Sequence, residues 1–288
     1  MDLNELRLEI DKIDRELVRL FVQRMEVSAR IADYKKKHGM PIFIPTREAE
    51  KLSDVAQMAG EDMEVYTKVL YSMLFELSRG YQSQRNASRT DLFGRITEAI
   101  EHTPKMLPKN AVVATLSGIN ETNTMVCRKL FGDCPIVPFK TTDGILAAVT
   151  QGLCRYGVIP VDGNAQKIYD ELVSQGLTIM RAFRLSEQNA FICVSRDLEI
   201  YPGSHRTSLR MALSDKPGAL YKVLARLYTL GINVVRLESR AMDRRHFVGM
   251  FYFDLETSVY SEEFVQLICE LGDLCEEFAY LGSYTEVV

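Results

Sequence analysis

Apolar residues stand at Leu6, Ile10, Ile13, Leu17, Leu20, Val27 and Ile31, in steps of three and four with one position skipped. That period is one face of an α-helix. It predicts a single helix from about Asp2 to Lys37, roughly 50 Å long at 1.5 Å per residue. A helix of that length exceeds what a small domain can cover with its own chain, so the seam is expected to pack against a second copy. A connector holding Pro41 and Pro45 follows. A second helix is expected from Thr46, where Thr46-Arg47-Glu48-Ala49-Glu50 resembles a capped first turn, and Gly60 ends it. A third helix is expected from about Asp62 to Gln84.

Residues 88–110 read as a linker carrying one short amphipathic helix, DLFGRITEAIEH. From 111 the pattern shortens. The β-rich runs VVATL, PIVPF, YGVIPV and LTIMRAF alternate with helical stretches near 121–131, 142–152 and 164–175. This predicts an α/β layer with largely parallel strands. The last stretch reads strand, helix, strand, strand, helix, strand, the ferredoxin-like βαββαβ order. The fold class expected is therefore multidomain: α, then α/β, then α+β. The expected divisions are 1–87, 88–110, 111–203 and 204–288.

Composition narrows the function classes. Of 288 residues 47% are apolar and 26% charged, and the formal net charge is -4. No apolar run reaches the roughly 20 residues of a membrane span. The charged start MDLNELRLEID does not read as a secretory signal. A mildly acidic balance argues against nucleic acid held by bulk charge. The six cysteines form no C-x-x-C pair and do not cluster with the four histidines. Reduced thiols in a cytoplasmic protein are expected, with no metal site and no cofactor.

Two cations interrupt the first seam. Arg24 lies between Leu20 and Val27, and Lys35 lies four after Ile31. Eleven residues separate them, about three turns, so they share a face. Cations on a buried stripe cost several kcal/mol unless an anion meets them; otherwise their heads snorkel to water. Arg7 faces roughly 100° away from Arg24, and in an intertwined dimer it could serve the partner's pocket. In helix three the row Leu70, Leu74 continues as Ser78 and Gln82, polar groups that need hydrogen-bond partners. Together with Arg47 and Glu48, these residues suit a small dianion. They offer neither a nucleophile nor a metal ligand set.

At this point the first 87 residues resemble the all-helical chorismate mutase family, through Leu6-Arg7, Ile13-Asp14, Leu17, Arg24, Lys35, Pro41, Arg47-Glu48, Ser78 and Gln82. The resemblance implies that Arg24, and Arg7 from the other subunit, take the substrate's two carboxylates. Arg47 helps hold the anionic end, Ser78 supports a carboxylate, and Glu48 holds the ring hydroxyl. Lys35 and Gln82 reach the ether oxygen of the breaking bond. Lys35, Gln82 and Arg24 are thus the expected catalytic residues. Some family members place an acid where Ile44 stands here. A unimolecular [3,3] rearrangement needs a folded conformer held in place and donors at the oxygen that gains negative charge. It needs no general base.

The C-terminal stretch resembles an ACT sensor domain, through Asp215-Lys216-Pro217-Gly218-Ala219-Leu220 and Glu238-Ser239-Arg240. In dehydratase-linked ACT domains these segments build a phenylalanine pocket at a dimer interface, so both are expected effector-binding residues. Ala241 stands where the family commonly has proline. The whole order resembles the bifunctional chorismate mutase–prephenate dehydratase proteins. The middle segment departs from their chemistry. Pro160-Val161-Asp162-Gly163-Asn164 stands for Pro-Ile-Glu-Asn, Gly118–Asn123 for a hydroxyl-bearing glycine-rich turn, and Asn189-Ala190-Phe191 for Thr-Arg-Phe. The second lobe of the cleft is expected to be missing.

The reading is therefore a homodimeric chorismate mutase, converting chorismate to prephenate in aromatic amino acid biosynthesis. It carries an ACT domain with phenylalanine as effector and an inactive dehydratase-like domain. Separate sensor dimerisation would allow a tetramer. The alternatives are the full bifunctional enzyme and a non-catalytic aromatic amino acid sensor.

Overall fold

The computed structural model describes residues 2–41, 44–86, 91–117, 122–161, 163, 165–186, 189–241 and 248–287. The chain divides into two compact units, Met1–Ser88 and Arg89–Val288.

The first unit is three helices: α1 (Leu3–Lys37), α2 (Pro45–Ala59) and α3 (Glu64–Asn86). Asp2 starts α1 with a capping box. Its carboxylate accepts from the Asn4 and Glu5 amides at 2.7 and 2.9 Å, and Glu5 accepts from the Asp2 amide at 2.8 Å. Lys35, Lys36 and Lys37 in the last turn complement the negative end of the helix dipole. The start of α2 differs from the expected Thr46 cap. Ile44 occupies the cap position with no side-chain hydrogen bond, and Pro45 opens the helix. Proline suits that place, because its missing N–H has no partner there anyway.

α3 packs against both other helices. Only the C-terminal half of α1 is covered, through the small buried residues Ser28, Ala29 and Ala32. All seven seam residues stay exposed, from 40% at Leu6 to 63% at Ile13.

The second unit contains α4 (Asp91–His102), β1 (Val113–Leu116), α5 (Thr122–Phe131), β2 (Ile136–Phe139), α6 (Thr142–Thr150), β3 (Tyr156–Pro160), α7 (Ala165–Gln175), β4 (Thr178–Ser186), β5 (Asn189–Ser195), β6 (Arg206–Ser214), α8 (Ala219–Thr229), β7 (Asn233–Ala241), β8 (Val248–Glu256), α9 (Glu262–Leu274) and β9 (Glu277–Val287). The strands form one nine-stranded sheet in the order β2-β1-β3-β5-β4-β9-β6-β8-β7.

Three differences from the sequence reading matter. First, the strands of the middle segment are not largely parallel. β1 pairs parallel with β2 and β3, but β5 returns antiparallel between β3 and β4. A hairpin needs only a short connection, which is why LTIMRAFRL runs so directly into AFICVS.

Second, the helix placed in a linker is a core element. Ile96 and Ala99 of α4 are buried in one cluster with Ile200, Val223, Leu267 and Leu271. Its amphipathic face is the reason: an apolar stripe must be covered.

Third, the segments expected as a middle domain and a sensor share one sheet and one core. β9 pairs antiparallel with β6, and its last residues Thr285–Val287 pair parallel with Arg181–Phe183 of β4. Ile168, Tyr169 and Leu172 of α7 pack in the same cluster as Ala212, Met250, Tyr252 and Tyr284. Gly282 permits this junction. It has φ +140°, and a Cβ there would collide with the Ile179 carbonyl oxygen. Of the cysteines, Cys127, Cys154 and Cys193 are buried, and burial pushes the Cys127 thiol up to about 11.

Candidate functional site

The polar positions that interrupt the helical seams converge in the first unit. Arg24 of α1 meets α3 through its Nη1, which donates to the Ser78 hydroxyl and, at 3.2 Å, to the Leu74 carbonyl. Ser78 Oγ in turn donates to Leu74 O at 2.7 Å. The guanidinium carbon lies 5.7 Å from the Phe75 ring centroid, within cation–π reach. Burial lowers the Arg24 pKa, against the raising influence of Tyr71 and Glu48.

Lys35 lies three turns further along α1. Its pKa is also lowered, first by burial and then by Arg79, with Glu48 acting in the opposite direction. Gln82 follows Ser78 by one turn of α3. It is buried, and its amide oxygen has no hydrogen-bond partner among the described residues. A buried amide oxygen without a partner calls for a donor from a water or a ligand.

Glu48 reaches the same region from the first turn of α2. It pairs with Arg79, which also holds Glu76. Arg79 and Glu76 were missed in the sequence. Arg79 follows Ser78 directly and so lies off the Leu70-Leu74-Ser78-Gln82 row that drew attention. The i, i+3 spacing of Glu76 and Arg79 was the available signal.

Two expected residues are not brought in. Arg47 turns outward to Glu50 at 3.4 Å, and its side chain is 71% exposed. Arg7 sits on the exposed first half of α1. The set linked by contact or charge is thus Arg24, Lys35, Glu48, Ser78 and Arg79, with Gln82 one turn beyond Ser78 on α3. Two desolvated cations, one ion-paired carboxylate and an amide suit a small, strongly anionic, hydroxyl-bearing molecule.

In the second unit, Gly218 takes a left-handed φ of +87° at the start of α8, followed by Ala219 and Leu220. Across β8, the end of β7 presents Glu238, Ser239 and Arg240. Glu238 lies 3.6 Å from Arg236, Arg240 donates to Asp170 at 3.2 Å, and the Ser239 carbonyl accepts from Gln166 at 3.4 Å. These two segments lie at the same end of the sheet. Within one chain, however, Glu238 and Arg240 are engaged by their own strand and by α7.

Of the segments compared with dehydratase motifs, Asp162, Asn164 and Gly118–Glu121 lie outside the described residues. Pro160 and Phe191 are register partners across β3 and β5, so those two segments are neighbours. Asn123 donates to the Leu116 carbonyl at 3.0 Å.

With this geometry in view, the comparisons with known proteins are specific. Residues 6–83 match the family model of chorismate mutase type II. Over its full length the chain is similar to the bifunctional chorismate mutase/prephenate dehydratase of Aquifex aeolicus, at 22% identity. That match covers 100% of this chain and 99% of the relative. The alignment runs over 379 positions against 288 residues here, so a sizeable stretch of the relative has no counterpart.

Among solved structures, the prephenate dehydratase of Streptococcus mutans matches with a TM-score of 0.52 at 21% identity, covering 62% of this chain and 99% of that one. The prephenate dehydratase of Arthrobacter aurescens in complex with L-Phe matches with a TM-score of 0.51 at 15% identity, covering 60% and 89%. The chain therefore carries a chorismate mutase domain at its N-terminus, joined to a mixed-sheet α/β unit with the prephenate dehydratase fold. As a whole it is homologous to the bifunctional chorismate mutase/prephenate dehydratase proteins.

Proposed function

We propose that this chain is a chorismate mutase that rearranges chorismate to prephenate for aromatic amino acid biosynthesis. The observation that carries the reading is the pair of partly desolvated cations, Arg24 and Lys35, on one face of α1 and both under the influence of Glu48. In the proposed complex Arg24, backed by Ser78, takes a carboxylate and Glu48 takes the ring hydroxyl. Lys35 and Gln82 donate to the ether oxygen as its bond to carbon breaks, where charge stabilisation acts on the rate. The site holds the folded conformer and so supplies positioning. No proton is transferred.

The uncovered seam of α1 supports an intertwined dimer in which a partner copy covers those apolar residues. Arg7 of one copy then completes the other's pocket, with Arg47 turned inward once a substrate anion is present. The βαββαβ stretch β6-α8-β7-β8-α9-β9 is proposed as a ferredoxin-like ACT sensor. Its effector would be phenylalanine or a related amino acid, bound between copies by Gly218, Ala219 and Leu220 with Glu238, Ser239 and Arg240. Pairing of sensors would build a tetramer. The middle strands are proposed to lack dehydratase activity, because the threonine of the family's Thr-Arg-Phe motif has no counterpart in Asn189-Ala190-Phe191.

Incubation of the purified chain with chorismate, followed by identification of the product, tests the mutase reading. Prephenate is expected, and unchanged chorismate overturns the reading. A second reading, the full bifunctional enzyme, is favoured by the full-length similarity to the Aquifex aeolicus protein. Supplying prephenate separates the two, since phenylpyruvate forms only under that second reading.

A further inference from the structure

Arg79 of α3 stands between two carboxylates. It pairs with Glu48 on α2 and with Glu76, three residues back on its own helix. All three side chains are mostly withdrawn from water, 14% exposed at Arg79, 24% at Glu48 and 9% at Glu76. An ion pair on an open surface fixes little. Here one guanidinium joins carboxylates from two helices, and its planar fork of donors sets the orientation of each.

The surroundings of Glu48 give this pairing a consequence. The Glu48 charge acts on Lys35 of α1 in the raising sense, and the Arg79 charge acts on it in the lowering sense. Glu48 also raises the pKa of Arg24. A carboxylate so close to two cations would, if unpaired, turn to them as an internal counter-ion. It would then compete with an arriving anion and occupy the ammonium that is to meet the ether oxygen. α1 and α2 both pack on α3, so α3 is well placed to hold a group of α2 while facing α1.

We propose that Arg79 is a positioning residue of the mutase site, holding the Glu48 carboxylate for the ring hydroxyl and away from Lys35, with Glu76 as its second anchor. The proposal rests on the mutase reading and deepens it. Arg79 acts through Glu48 and makes no contact with substrate itself. Charge reaches Lys35 from α2 by Glu48 and from α3 by Arg79, which brings Glu76 with it. Loss of Arg79 removes a like charge from beside Lys35 and frees Glu48 to approach it. Both changes raise the Lys35 pKa.

A double-mutant cycle on the full chain tests the role, with Arg79→Gln, Glu48→Gln and the two combined, and chorismate turnover followed across pH. Arg79→Gln should lower kcat/KM about tenfold or more. It should also move the alkaline limb of kcat/KM upward by about half a pH unit or more. In the Glu48→Gln background the same change should alter kcat/KM by less than about twofold, because the group it positions no longer carries charge. A merely structural Arg79 would keep its full cost there, since Glu76 still loses its partner. Should Arg79→Gln fail to fold, Arg79→Lys takes its place in the cycle. It keeps the charge and loses the fork, so a loss of about threefold is expected with Glu48 present and none with glutamine there. Additive losses, or near-wild-type kcat/KM in Arg79→Gln, overturn the proposal. A wild-type chain without turnover overturns the mutase reading instead. The hold on Glu48 is then read from the Lys35 pKa, by NMR of the side-chain ammonium in wild type and the Arg79 variant, and an unmoved value overturns it.

Discussion

Arg24 is an expensive residue in the position it holds. Burial lowers its pKa, and its nearest fixed partners are a hydroxyl and a carbonyl rather than a carboxylate. Such a cation is stabilised by an arriving anion, so Arg24→Ala should remove turnover while the helices persist. Gln82→Ala should lower kcat by about 10²–10³-fold, as for a lost oxyanion donor. Steady-state kinetics with circular dichroism checks both, and near-normal turnover in either variant would refute its assigned role.

Lys35 gives a pH prediction. Its pKa is depressed below 10.5 by burial and by Arg79, and the charged form is the one required. Activity is therefore present below the folded pKa and lost as pH rises through it, before an ordinary lysine would titrate. A bound dianion raises that pKa again, so kcat/KM should fall at lower pH than kcat does. A pH–rate profile with kcat/KM flat to about pH 10.5 contradicts this. The stability consequence has its own sign. A lysine pKa lowered by folding penalises the folded state most below that pKa, and the penalty fades as pH rises towards 10.5.

At the level of elements, α1 and β9 each do more than the sequence pattern suggests. The seam of α1 was legible because its spacing is strict. That a second copy covers it was an expectation from the helix's length, since a period by itself identifies an apolar face and not what covers it. The 40–63% exposure of those residues leads to a prediction. Leu17→Asp should shift the chain from dimer to monomer in sedimentation and abolish turnover together with it, because Arg7 would then be lost from the partner's pocket. Monomeric wild-type protein with full activity would exclude the shared site.

For β9 the critical residue is Gly282, at a register shift between Ser208 and Leu209 of β6. With φ +140° and the Ile179 carbonyl in the way of any Cβ, Gly282→Ala should destabilise the second unit by about 2 kcal/mol or more. Urea denaturation measures this, and an unchanged midpoint would contradict it. The sequence offered no sign of this demand, since glycine is common at harmless turns. The α4 error has a related cause: the prolines around the helix read as a connector, while its apolar stripe is spoken for by residues more than a hundred positions away.

The whole molecule divides into two units rather than into the expected string of enzyme, relic and sensor. One sheet runs from β2 to β7, and β9 is hydrogen-bonded on both edges, to β6 and to β4. A cooperative core of this kind should unfold in one step. Hydrogen exchange is therefore expected to show β4 and β9 opening with the same free energy, whereas separate opening of β6 to β9 would indicate two independent domains.

The sequence alone was enough for the local features: helices and strands from their periods, the Arg24–Lys35 face from an eleven-residue spacing, and the polar row Ser78–Gln82 from one helical turn. These depend on neighbours within a few residues, where backbone geometry leaves little choice. Only the tertiary structure decided which groups meet across distance. It joined Arg79 to Glu48, turned Arg47 outward, buried α4, set β4 beside β9 in one sheet, and paired Arg184 with Glu286 and Arg236 with Asp254. Such encounters depend on how whole faces pack, and no spacing along the chain encodes them directly.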